Sequence, residues 1–170
     1  MSQREGDLVS RADVDACIEI VARVVGGPRS LRHPAPLILQ MLARTAGRFT
    51  VDTKRTFDDL WARVEEFRGE DRLKVPWTPF ADYHVDRLCV EMVIKMLQAA
   101  DERRAAGLPT LGTAPMWGAL STMVGQVASG INISVDALRK LLEEGMAPKK
   151  SQPVCVLVMV DGGVGKGGEA

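Results

Sequence analysis

The chain is short of the residue types that carry most enzyme chemistry. It holds two histidines, His33 and His84, and three cysteines, Cys17, Cys89 and Cys155. The cysteines are odd in number, far apart and free of any CxxC step, which points to reduced, mostly buried thiols in a cytosolic setting. Neither histidine stands at ligand spacing for zinc. Two histidines without a flanking nucleophile motif do not define a nucleophile–histidine–acid set either. No run approaches the roughly 18–20 consecutive apolar residues that a membrane span needs. The opening MSQREGDLVS lacks the apolar core of a secretory signal. No membrane partner is expected, and no cofactor is implied.

What is present is apolar surface and uneven charge. Apolar residues make up 46% of 170, enough to build one core. The net charge is zero, yet residues 28–56 hold Arg29, Arg32, Arg44, Arg48, Lys54 and Arg55 against Asp52 alone, a local +5. Residues 57–106 hold eleven acids and eight bases, a local −3. The two segments can balance each other within one fold or between subunits. Alternatively, the basic one can meet phosphate, with Arg44 and Arg48 sharing a helix face at i, i+4 and the other four flanking them.

Periodicity predicts helices through most of the chain. Ser10 caps a helix whose stripe is Val14, Cys17, Ile18, Val21 and Val25, closed by Gly26-Gly27-Pro28. A short apolar helix is expected from Leu37 to Ala46, stopped by Gly47, and RFTVDT, residues 48–53, is the best internal strand candidate, with Phe49-Thr50-Val51 an in-chain partner for the tail. Phe57, Leu60, Trp61, Val64 and Phe67 keep the helical period over residues 54–68. Thr78 reads as a cap with Pro79 at the first helical position, opening the longest helix, expected to be central, which reaches Ala106. Residues 116–130 are expected to form a helix of small residues and methionines, and Ser134 caps a last one from Val135 to Glu144 that Gly145 closes. The expected fold is mostly α: a compact helical domain of about six helices over 1–145 with minor β content, then a linker and flexible Gly-rich tail over 146–170.

The tail reads PVCVLVMVDGGVGKGGEA. Over eight residues, DGGVGKGG resembles the variant phosphate loop of ParA-like ATPases, with Lys166 where the phosphate lysine would stand. Asp161 replaces the first lysine of that loop, Gly167 replaces the hydroxyl that holds Mg²⁺, and no helix follows within the 170 residues. The tail is therefore not read as a nucleotide site. Val154, Val156 and Val158 instead form an apolar strand suited to pairing in-chain or adding to a partner.

Three further constellations carry possible chemistry. Glu66 and Glu70, with Asp82 and Asp86, resemble in outline the Mg²⁺-holding acids of MazG-like all-α pyrophosphohydrolases, which implies nucleotide hydrolysis. The steps here are i, i+4 rather than E-x-x-E and E-x-x-D, and Gly69 interrupts the first pair. QVASGINISVDALRK has the outline of a helix-turn-helix with Arg139 and Lys140 on the second helix, but INI lengthens the turn. Trp77, in the Pro-rich VPWTPF, is either a staple over the next helix or an interface anchor.

Catalytic residue types are scarce, whereas apolar helical stripes are plentiful. The expectation is a non-enzymatic protein–protein interaction or assembly factor, pairing with itself and with another protein. It would act in the cytoplasm or inside a virion-like or other nucleoprotein particle, as a viral or phage accessory subunit would. The alternatives are a regulator or packaging helper that binds RNA or DNA through segment 29–55, and the Mg²⁺-dependent pyrophosphohydrolase.

Overall fold

The computed structural model describes residues 10–25, 33–70 and 73–147. The described chain is mostly helical, with six helices: α1 (Arg11–Val25), α2 (Ala35–Asp52), α3 (Phe57–Phe67), α4 (Asp82–Ala105), α5 (Thr113–Ser129) and α6 (Val135–Met146). Two short strands, β1 (Val75–Pro76) and β2 (Ile131–Asn132), pair in parallel. The apolar run with Val154, Val156 and Val158 lies outside the described residues, as do Arg29 and Arg32.

The longer α4 is not the buried centre of the fold; that place is shared by α2, with thirteen of its eighteen residues buried, and α5. Twelve of the seventeen α5 residues are buried, and the helix touches α1, α2 and α3. Small residues make this possible, because they let neighbouring backbones come close. A Cβ on Gly125 would lie 2.5 Å from the carbonyl oxygen of Val64 on α3. The hydroxyls of Ser121, Thr122 and Ser129 donate to carbonyls four residues back, so they enter the core with their polarity satisfied. By contrast α4 packs on α2 and α1 from one side only.

Helix α2 corrects two expectations together. It runs unbroken through Gly47 and through Phe49-Thr50-Val51 to Asp52, so the internal strand does not form. Gly47 is a crossing point rather than a stop. A Cβ there would lie 2.7 Å from the carbonyl carbon of Gly145 and from Leu142 O, and one on Gly145 would lie 2.6 Å from Arg44 O. The two glycines thus let α2 and α6 cross backbone against backbone, and Gly145 lies inside α6 instead of closing it. Thr50 holds the β-branched stretch in the helix: its hydroxyl donates to Ala46 O at 2.7 Å and accepts the Trp117 indole N–H at 2.8 Å. Tertiary burial overrides strand propensity here.

The start of α4 also differs from the reading. Thr78 and Pro79 do not begin the helix; Ala81 precedes its first residue, Asp82. Gln40 on α2 explains the delay. Its side chain accepts the Phe80 backbone N–H at 2.7 Å and donates to Phe80 O at 3.4 Å, which ties residue 80 to α2 before the helix can start. At the other end Gly107, with φ 74°, supplies the left-handed residue that closes α4. The cap of α6 follows sequence expectation, with Ser134 accepting from the Ala137 N–H, while α3 starts at Phe57 rather than at residue 54, behind a capping box of Thr56 and Asp59.

Candidate functional site

The described members of the basic segment, Arg44, Arg48, Lys54 and Arg55, have different surroundings. Arg44, expected to face phosphate, is buried, with 6% of its side chain exposed, and its guanidinium is engaged by two acids of α4. Nη1 donates to Asp86 Oδ1 at 2.6 Å and Nη2 to Asp82 Oδ1 at 3.0 Å. Burial alone would lower the Arg44 pKa, but the hydrogen bonds and charge of Asp82 and Asp86 outweigh it and the net shift is upward. Arg48 turns to Asp52, 3.5 Å away. Burial raises the Asp52 pKa, and Arg48 offsets the rise only in part. Lys54 is exposed in a turn with φ 57°. Arg55 stacks its guanidinium 4.3 Å from the centre of the Trp117 ring.

The four acids of the hydrolase reading are dispersed as well. Asp82 and Asp86 clasp Arg44, while Glu66 and Glu70 are exposed in and just beyond the last turn of α3. Among the described residues no three His, Cys, Asp or Glu side chains come together as a metal site. Cys17 is a core thiol, pushed up to about 12, first by burial and then by the nearby Asp13 charge. Arg139, proposed for a recognition helix, lies over the rings of Phe57 and Trp61 at 4.9 and 5.1 Å. The segment between α5 and α6 is tied down by the β1–β2 pairing. Trp77 is half-buried and packs against the core.

The surface that sequence reading missed is the outer side of α4. Its inner face, Val85, Met92, Val93, Met96 and Ala100, is buried. About 130° around the helix, at 3.6 residues per turn, lies a second series: Tyr83, Arg87, Val90, Ile94, Leu97 and Asp101, of which Leu97 stands at the edge and also packs against the core. The steps along it alternate four and three, the spacing of a coiled-coil seam. Tyr83 is 70% exposed and Ile94 44%, while Val90 and Leu97 are half-buried. The signal was present in the sequence, since apolar residues occupy both sides of the helix. The stripes read from the sequence follow only the core side of this helix and leave Tyr83, Val90 and Ile94 unassigned. No helix of the described residues is long and apolar enough to cross a membrane, so α4's two apolar faces do not mark a membrane span. No protein-family model, curated protein or solved structure matches this chain.

Proposed function

We propose that this protein is a non-enzymatic interaction and assembly factor that pairs with a second copy of itself through the outer seam of α4. The observation carrying the reading is that α4 has apolar residues on two faces about 130° apart, while the described fold covers one. A helix apolar on both sides belongs inside a larger packing unit. Tyr83, Val90, Ile94 and Leu97 supply the contact, and Arg87 and Asp101 select the direction. Each lies seven residues from Ile94, one before it and one after. In an antiparallel pair centred on Ile94, Arg87 of each copy meets Asp101 of the other at both ends. In a parallel pair like charges would align, which is unfavourable.

The mass in solution, measured by light scattering across a dilution series, tests this. A dimer of the 18.5 kDa chain is expected. Ile94→Glu should make it a monomer without unfolding it, because Ile94 faces away from the core. Arg87→Asp should weaken the dimer, and Arg87→Asp/Asp101→Arg should restore it. A wild-type mass of one chain at the highest concentration reached would refute the reading. A dimer indifferent to both Ile94→Glu and Arg87→Asp would put the interface elsewhere.

A further inference from the structure

Helices α1, α3 and α5 enclose a groove of about 490 Å³, within the range of small-molecule sites. Arg11 from α1, Arg55 from the turn before α3, and Arg63 from α3 line it, against a single acid, Asp15. We infer that this groove binds a small phosphate-bearing ligand, with Arg63 as the fixed anchor and Arg11 and Arg55 closing on the oxyanion from the rim.

Arg63 carries the argument. It is half-buried and held rigidly: Nε donates to Gly118 O at 3.1 Å and Nη2 to Thr122 Oγ1 at 3.0 Å. The rings of Phe67 and Trp117 flank its guanidinium at 5.2 and 5.9 Å. Both of those acceptors are neutral, and among the described residues no carboxylate stands within ion-pair distance of Arg63. Arg44 makes the contrast plain, because there the fold brings two aspartates to a buried guanidinium. A guanidinium taken out of water gains from a counter-charge, and at Arg63 the fold supplies an open groove instead. Burial lowers the Arg63 pKa; Glu66 raises it, and the charge of Arg55 lowers it again. A shared anion would relieve the repulsion between the two arginines. Arg11, exposed at the rim, is in no ion pair among the described residues.

The lining also bounds the ligand. Phosphate suits several guanidinium groups better than a carboxylate does, since its oxygens accept from more than one fork. Val14 and Ile18 offer apolar wall for a small organic body. Arg55 covers the Trp117 ring, so the groove offers no open aromatic face for stacking a base. It recognises the phosphate rather than a nucleobase.

Calorimetric titration of the full chain with inorganic phosphate, ribose 5-phosphate and AMP, against sodium chloride at matched ionic strength, tests the assignment. Saturable binding of at least one phosphate compound is expected, with a matching rise in Tm. Arg11→Gln and Arg63→Lys should each weaken it about tenfold or more, the loss of a hydrogen bond to a charged group. Equal affinity for all three compounds would identify free phosphate as sufficient, and tighter ribose 5-phosphate would identify a phosphoester. Circular dichroism verifies that Arg63→Lys folds; if it does not, Arg11→Gln, which is exposed, decides alone. No binding beyond the chloride control, or binding unchanged in Arg11→Gln and in folded Arg63→Lys, overturns the inference. Ile94→Glu should bind phosphate as the wild type does, which separates the groove from the α4 seam.

Discussion

Gly47→Ala distinguishes a glycine that ends a helix from one that lets two helices touch. Inside α2, replacing glycine by alanine would ordinarily stabilise by about 0.8–1 kcal/mol, from helix propensity alone. At this position the added methyl would meet Gly145 C and Leu142 O at 2.7 Å and Gly145 Cα at 2.8 Å. All three are backbone atoms, and no side-chain rotation relieves the contact. Ordinary carbon contacts begin near 3.5 Å, so α6 would have to retreat by somewhat under 1 Å. Leu138 and Leu142, both fully buried on α6, would move with it. Overpacking of this kind costs about 1–3 kcal/mol or more and exceeds the propensity gain. The expected net loss is about 1–2 kcal/mol, a fall in Tm of roughly 2–8 °C for a domain of this size. Urea unfolding followed by circular dichroism, with an unchanged m value, measures it. An alanine variant as stable as the wild type, or more stable, would refute the close crossing of α2 and α6.

Two further predictions address buried charge. Asp82→Ala/Asp86→Ala should destabilise the fold by about 2 kcal/mol, because it leaves Arg44 buried without a carboxylate; the figure is reduced from that of a fully buried pair because the Asp82 side chain is 76% exposed and that of Asp86 43%. Arg44→Met should cost less, since it fills the same space and leaves the two acids facing water, so urea unfolding of both variants should rank them in that order. The folded-state pKa of Asp52 is raised, so its protonated form is the one the fold prefers. The stability this contributes is present below the ordinary aspartate pKa and is lost as pH rises through the raised value. Stability measured against pH should therefore decline less over that window in Asp52→Asn than in the wild type, and an identical slope would sink the assignment.

Much of the fold was legible because helix periodicity and capping are local. The stripe Cys17, Val21 and Val25 is buried as its spacing requires, and Ser134 caps α6 where the sequence places it. The errors share one cause, which is that a residue's local preference was outweighed by something distant in sequence. Gly47 reads as a stop until Gly145 lies against it, ninety-eight positions on. Thr50 reads as strand until Trp117 donates to it. Thr78 and Pro79 read as a helix start until Gln40 captures the backbone at Phe80. None of those partners has a spacing that sequence inspection detects.

The same reasoning separates the arginines, which composition treats alike. Segment 28–56 reads as a phosphate surface when its charge is summed along the chain. The fold distributes those charges among different neighbours: Arg44 to Asp82 and Asp86, Arg48 to Asp52, and Arg55 to the face of Trp117. Arg63 belongs to the segment with net negative charge, where it would be assumed to be balanced. Folding turns it instead toward Gly118 and Thr122, which offer hydrogen bonds but no charge. Electrostatic demand is set by what surrounds a guanidinium after packing, and its neighbours in sequence do not determine that. The unmet demand at Arg63 therefore arises in an acidic stretch, and the apparent excess in the basic stretch is partly consumed inside the fold.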